Sequence, residues 1–315
     1  MTRLWPQSVL EKMAQLHDMT FDPADRPLEP TEIAQAMRDF DILCPTITDR
    51  ITAGMFSVDG LRVRMIANFG AGHEHIDLEA AKAAGVTVTN TPDVLTQSTA
   101  ELGILLMLMA ARRAGEGERQ LRARGWPGWH PTHMMGRSLH GAHLGLIGYG
   151  RIAQATARMA SDLWDMKISY HSRRPVPDGS DPLHATYVES LPMLLRSVDV
   201  LSLQCPGGPA THHLLNAEMI ALLKRDAILI NTARGSVVDE AALADALGEG
   251  RLAGAGLDVY EREPAVHPGL RALDNVVLLP HLGSATIETR TAMGLRALAN
   301  IDAFVSGREP ADRVA

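Results

Sequence analysis

Three segments late in the chain carry side chains whose types and spacing could do chemistry together. They are Asn231-Thr232-Ala233-Arg234-Gly235, Gly256-Leu257-Asp258-Val259-Tyr260-Glu261-Arg262-Glu263-Pro264 and Pro280-His281-Leu282-Gly283-Ser284. Each follows a run that reads as a strand, which places all three at the carboxyl edge of one parallel sheet, where such folds bind ligands. An arginine, a carboxylate and a histidine gathered there suit hydride chemistry on a keto acid. Arg234 can hold a carboxylate with a planar, permanently charged fork and polarise the adjoining carbonyl. His281 can deliver or take the hydroxyl proton, and Glu263 can orient the ring and favour its charged form. A structural salt bridge is the plain alternative for Arg234; the Asn-Thr-Ala-Arg-Gly setting after a buried strand speaks for chemistry.

An earlier segment supplies what hydride transfer needs. Leu144-Gly145-Leu146-Ile147-Gly148-Tyr149-Gly150-Arg151-Ile152-Ala153 reads as a strand, the turn G-x-G-x-x-A, and the start of an alanine-rich helix. Gly148 permits the tight turn, Gly150 lets a pyrophosphate approach the backbone, and Ala153 lets helix and strand pack closely. The N–H groups at Arg151 and Ile152 open the helix and favour anions. A dinucleotide site of this kind prefers NAD when the next strand ends in Asp or Glu, about 20 residues past the glycines. Here that strand end reads His171-Ser172-Arg173-Arg174-Pro175, with no carboxylate. Ser172, Arg173 and Arg174 are donors for a 2′-phosphate, so NADP(H) is the expected cofactor, with NAD(H) as a possible second. Solvated loop arginines are the bland alternative.

The elements that must position these residues follow from the alternation of short apolar runs with amphipathic stretches. Residues 64–69 precede 78–84, 144–148 precede 152–162, and 227–230 precede 240–247, a pattern of βαβ units and parallel sheet. The glycine turn lies some way into the chain, so a cofactor domain is expected to be inserted in another. The division reads as a Rossmann-type doubly wound domain over 98–287, flanked by 1–97 and 288–315, which together form a flavodoxin-like α/β substrate-binding domain. Residues 96–124 read as one long helix and 285–304 as another, the two bridging the domains.

Bulk properties agree. In 315 residues, 46% are hydrophobic and 21% charged, too apolar for a disordered chain. A net charge of −7 disfavours nucleic acid and anionic membranes as partners. The apolar run 102–111 is too short to span a bilayer, and Glu11, His17 and Asp18 are unlike a signal peptide. Cys44 and Cys205 are far apart, without disulfide or metal spacing, which points to the cytosol. His130, His133, His140 and His143 cluster in a Pro- and Gly-rich stretch that does not suit a helical ligand pair, and no metal is expected.

The ordered set of segments strongly resembles the D-isomer-specific 2-hydroxyacid dehydrogenase family over roughly residues 60 to 305, and within it the NADP-dependent glyoxylate/hydroxypyruvate reductases. The resemblance implies that Arg234 binds substrate, that Glu263 partners the histidine, and that His281 is the general acid/base. It implies nicotinamide contacts from Asp258 and the Ala233 carbonyl, with Thr99, Gly283 and Ser284 nearby. Cys205, Pro206 and Thr211 match the loop beside the adenosine. Asn68-Phe69-Gly70-Ala71-Gly72-His73 matches the loop whose backbone N–H groups at Ala71 and Gly72 bind the substrate carboxylate. A homodimer is implied too, with Trp126-Pro127-Gly128-Trp129 resembling an extension that crosses to the partner. Two departures stand out: Glu74 replaces a common Asp, and the opening Thr2-Arg3-Leu4-Trp5-Pro6 leaves the family's first strand short or missing.

The expected activity is reduction of a small 2-keto acid, glyoxylate or hydroxypyruvate, to the D-2-hydroxy acid. A dehydrogenase for a bulkier keto acid is an open alternative, as is a non-catalytic, nucleotide-sensing corepressor-like protein that retains the same trio.

Overall fold

Two parallel sheets interleaved with helices absorb the apolar runs in the computed structural model, which describes residues 1–315 apart from Asp178, Ser180 and Pro182. The chain divides into two compact units, Met1–Leu95 with Ser284–Ala315, and Thr96–Gly283. The expected boundaries at 97/98 and 287/288 fall slightly later, because the helix opening at Thr96 belongs whole to the second unit and the Ser284 turn to the first.

In the first unit, β1 (Ile42–Leu43), β2 (Met65–Ala67) and β3 (Thr87–Thr89) pair in parallel in that order. Alternation along β2 loads both faces: Ile66 joins Ile33, Met37 and Val88, while Met65 and Ala67 join Val9, Leu298 and Ile301. The helix Ile287–Val305 supplies the last two, and its Thr286 cap accepts from the Thr289 N–H at 3.0 Å. No strand precedes β1 among the described residues. Thr2 donates both its N–H, at 3.1 Å, and its hydroxyl, at 3.3 Å, to the Cys44 carbonyl, a contact that does not grow into a ladder among the described residues. At the other end of the chain, Val88 of β3 donates to the Ala315 carbonyl at 3.0 Å and accepts from Val314 at 2.8 Å.

In the second unit, β4 (His143–Ile147), β5 (Lys167–His171), β6 (Thr186–Tyr187), β7 (Val200–Leu203), β8 (Ile228–Asn231), β9 (Gly254–Leu257) and β10 (Val276–Leu278) are ordered β10-β9-β8-β7-β4-β5-β6. All pair in parallel. The chain runs outward from β4 to β6, then returns to β7 on the other side of β4 and continues to β10. That reversal leaves a crevice at the carboxyl ends of β4 and β7, the switch point of a doubly wound fold. Side chains alternate between two cores: Leu201, Leu203 and Leu229 pack on one face, Leu144, Leu146, Ile228 and Ile230 on the other. Helices cover both faces, which is why the strands lack polar alternation.

The single helix expected over 96–124 is two, Thr96–Ala111 and Ala114–Arg122. Arg113 between them takes a left-handed backbone, φ 53°. Its guanidinium pairs with Glu116 through two bonds of 2.8 and 2.6 Å, which favours a fresh first turn there. Burial separates the two as well: Leu106 and Met107 of the first helix are fully buried, whereas the second buries no residue.

Candidate active site

The turn after β4 has the shape a dinucleotide needs. Gly148 is left-handed, φ 88°, and a Cβ there would lie 2.7 Å from the Gln204 carbonyl oxygen at the end of β7. Only glycine fits that approach. Gly150 caps the helix Arg151–Trp164 with open space where its side chain would be. The first-turn N–H groups, Arg151 and Ile152 among them, have no acceptor within the helix, and such a helix start suits phosphate. Ala153 is buried on the strand.

Beyond β5, Arg173 and Arg174 are exposed, and the Ser172 hydroxyl donates to the Arg174 carbonyl, drawing the three residues into one tight bend. Across the crevice, Cys205 is buried, and Thr211 folds its own loop by donating to the Pro206 carbonyl at 2.8 Å.

Arg234, Glu263 and His281 come from the turns after β8, β9 and β10, three neighbouring strands. Asn231 ends β8 and shapes the first turn: its side chain accepts from the Ala233 N–H at 3.0 Å and donates to the Arg234 carbonyl at 2.9 Å. Arg234 Nη1 donates to the Ala233 carbonyl at 2.7 Å. His281 is left-handed, φ 54°, an uncommon state for a side-chain-bearing residue. Asp258 imposes it by gripping three successive N–H groups. Its carbonyl takes that of His281 at 2.9 Å, and its carboxylate takes those of Leu282 at 2.7 Å and Gly283 at 2.9 Å. Burial pushes the Asp258 carboxyl up, against the pull of those bonds. Thr99 steadies the same turn by donating to the Gly283 carbonyl at 3.1 Å.

Glu263 Oε2 lies 2.8 Å from His281 Nδ1, and Oε1 accepts from the Tyr260 N–H at 3.1 Å. Burial pushes the Glu263 carboxyl up, but the bond and charge of His281, the Tyr260 N–H and the Arg234 charge outweigh it and hold the group below its ordinary value. An ionised carboxylate only accepts, so Nδ1 carries the hydrogen and Nε2 is left to exchange a proton with a ligand.

Ala71 and Gly72 belong to the first unit. The carbonyls of their loop are tied back: Gly70 accepts from Thr91 N–H and Asn68 Nδ2, Ala71 from Asn90 Nδ2 at 2.7 Å, and Gly72 from Asn68 Nδ2 at 2.9 Å. The Ala71 and Gly72 N–H groups have no acceptor among the described residues, so two adjoining donors remain free for an anion. Ser284 opens the return to the first unit, its carbonyl accepting from Thr286 at 2.8 Å.

Sequence reading did not single out Asn90, Asn231 or Tyr260, nor the role of Asn68. Three of these stand at or just past strand ends, the signal that could have drawn attention to them. A cleft of about 450 Å³ lies elsewhere, at the amino edge of β9 and β10, lined by Met109, Arg113 and Asn275 and by none of the residues above.

Residues 104–283 match the family described as D-isomer specific 2-hydroxyacid dehydrogenase, NAD binding domain. The chain is 40% identical to a glyoxylate reductase of Thermococcus kodakarensis, over 98% of this chain and 93% of that one. Among solved structures, a glyoxylate reductase of Paecilomyes thermophila superposes with a TM-score of 0.85 at 31% identity, covering 99% of this chain and 95% of that one. An NADPH-dependent glyoxylate/hydroxypyruvate reductase of Sinorhizobium meliloti, in complex with NADP and malonate, gives 0.86 at 36% identity, covering 98% and 93%.

Proposed function

The chain belongs to the D-isomer-specific 2-hydroxyacid dehydrogenase family, and on that premise we propose that it reduces glyoxylate or hydroxypyruvate to the D-2-hydroxy acid with NADPH. The observation that carries this reading is the Glu263–His281 pair at the sheet edge, with the Arg234 charge acting on the same carboxylate.

The turn at Gly148 and Gly150 supports a nucleotide there: Gly148 lets the turn lie against the Gln204 backbone, and the space beside Gly150 is open. When bound, the dihydronicotinamide supplies the hydride. Gly148, Gly150, Arg151 and Ile152 hold the pyrophosphate, and Cys205, Pro206 and Thr211 flank the adenosine. Asp258, the Ala233 carbonyl, Thr99, Gly283 and Ser284 serve the nicotinamide end. Ser172, Arg173 and Arg174 would receive a 2′-phosphate, and the lack of a carboxylate there supports NADPH over NADH; the Sinorhizobium enzyme, similar to this chain, is described as NADPH-dependent.

Arg234 binds the keto acid's carboxylate and draws electron density from its carbonyl. In the first unit, the free N–H groups of Ala71 and Gly72 are suited to bind a carboxylate of the same kind. His281 donates a proton from Nε2 to the carbonyl oxygen as that oxygen becomes an alkoxide, and Glu263 stabilises the ring while it is charged. In the reverse direction His281 takes the hydroxyl proton, so reduction is favoured by falling pH and oxidation by rising pH.

We also propose a homodimer. Leu121, Trp126, Trp129 and Met135 are each more than half exposed, and burial against a second copy would remove these apolar side chains from water. A monomer by light scattering would refute it. The two buried free thiols, Cys44 and Cys205, suit the cytosol. No helix among the described residues is long and apolar enough to cross a membrane.

The deciding experiment measures initial rates with glyoxylate and hydroxypyruvate, each with NADPH and with NADH, for wild type and His281→Ala. Turnover that prefers NADPH and collapses in the variant is expected. Turnover preferring NADH would remove the cofactor assignment alone; retained activity in the variant would remove the role of His281. No turnover with either acid would overturn the substrate reading.

A further inference from the structure

The free N–H groups at Ala71 and Gly72 depend on where the carbonyls of that loop are held, and the hold on Ala71 leads to a distant part of the chain. Asn90 donates its side-chain amide to the Ala71 carbonyl at 2.7 Å. Asn90 is itself fixed from behind, its backbone N–H donating to the Asp312 carbonyl at 3.2 Å. The Asp312 side chain is only 7% exposed. Arg296 binds that carboxylate with a two-pronged grip, Nε to Oδ2 at 2.8 Å and Nη2 to Oδ1 at 2.7 Å. Asn300, itself 2% exposed, donates Nδ2 to Asp312 Oδ2 at 3.0 Å and accepts the Asp312 N–H on Oδ1 at 3.3 Å. The helix Ile287–Val305, which carries Arg296 and Asn300, thus anchors Asp312, and Asp312 anchors Asn90.

We propose that Asp312 is a positioning residue for the substrate carboxylate, acting through Asn90 on the Ala71 peptide. The inference rests on the reading that Ala71 and Gly72 bind that carboxylate. A peptide carbonyl and the following N–H lie in one plane and turn together. Holding the Ala71 carbonyl on Asn90 therefore sets the direction of the Gly72 N–H. Asn300, which Asp312 orients, also donates to the Asn90 carbonyl at 3.5 Å, so loss of the Asp312 charge loosens both holds on the Asn90 backbone, the Ala71–Gly72 peptide plane tilts, and the donor leaves its line to the anion. The effect falls on binding of the keto acid and leaves the proton and hydride steps to Arg234, Glu263 and His281.

The test compares Asp312→Asn, Asn90→Ala and the double variant by steady-state reduction of glyoxylate with NADPH, each protein checked for a cooperative thermal transition. Asn at 312 removes the charge that Arg296 grips while keeping the shape. Each single variant is expected to raise the KM for glyoxylate about tenfold, with kcat within about twofold and the KM for NADPH unchanged. The double variant should be no worse than the worse single, since both act on one peptide. Should Asp312→Asn fail to fold, Arg296→Lys keeps a charge beside Asp312 but loses the fork, and a rise of about threefold in the glyoxylate KM is expected. An unchanged KM in the folded Asp312 variant, with a raised KM in Asn90→Ala, would overturn the relay and leave the loop reading standing. An unchanged KM in Asn90→Ala would overturn both. Multiplying effects in the double variant would also overturn the relay, because Asp312 would then act on the unit as a whole.

Discussion

Gly235→Ala tests whether the turn after β8 and the turn that carries Glu263 are one mechanical unit. A methyl at 235 would sit 1.8 Å from the Tyr260 carbonyl carbon, 2.1 Å from its oxygen and 2.3 Å from the Glu261 nitrogen. Real Cβ contacts essentially never fall below 3.0 Å, so the two backbones must part by more than about 1 Å. Rotamer changes cannot relieve this, since backbone meets backbone. Tyr260 holds Glu263 through its N–H, and the carboxylate meets His281 at 2.8 Å; Arg234 immediately precedes the substituted residue. Either turn that yields carries Arg234 or Glu263 with it. A misplacement of about 1 Å can cost on the order of 10²-fold in rate, and overpacking typically destabilises by about 1–3 kcal/mol. The assay is kcat/KM for glyoxylate reduction with NADPH, alongside thermal unfolding and cofactor binding by fluorescence. The expected result is a folded protein that binds NADPH and has lost roughly a hundredfold in kcat/KM. A folded variant within about threefold of wild type would refute the reasoning, because the two turns would then yield without moving Arg234 or Glu263.

Glu263→Gln replaces a charge-assisted bond worth about 1.5–3 kcal/mol with a neutral one, and kcat for glyoxylate should fall roughly thirtyfold; an unchanged kcat would remove Glu263 from the mechanism. The same variant has a pH signature. Because the folded carboxyl is held below its ordinary value of 4.5, its stabilising effect is full above that value and is lost as pH falls through the lowered one. The gap in unfolding free energy between wild type and variant, from urea titrations, should be constant near neutral pH and close in acid; a gap that widens in acid contradicts the assignment. Replacing Arg173 and Arg174 together by Ala should raise the KM for NADPH at least tenfold with little change for NADH, and equal changes for both cofactors would show that no 2′-phosphate is read there.

The doubly wound unit was legible because its information is local. Buried parallel strands read as unbroken apolar runs, and the glycine turn, the Arg234 turn and the His281 turn each follow such a run directly. The break at Arg113 was not, since it rests on an ion pair to Glu116 with neither proline nor glycine at the left-handed residue. The first unit was harder to read still: its strands are two or three residues long, too short to show a period. In the site, residue types pointed to Arg234, Glu263 and His281 without showing what holds them. Asp258 suggests a ligand contact by its motif, yet its position explains the backbone of His281. The Asn90–Ala71 and Asn90–Asp312 bonds join residues 19 and 222 apart in sequence, and no spacing rule reaches across such a gap.

The split of the first unit around the inserted 96–283 segment has a consequence for biosynthesis. A ribosome delivers residues in order, so the cofactor-binding unit is complete and able to fold while the other still lacks the helix Ile287–Val305 and the tail that pairs with β3. Met65 and Ala67 wait, meanwhile, without the Leu298 and Ile301 that cover them. Closing so long a loop costs only a little more than closing a short one, because the entropy grows with the logarithm of length. The delay therefore sets an order of events, with little thermodynamic penalty. A nascent chain should acquire nucleotide binding first, and its grip on the organic acid only when the last few residues emerge.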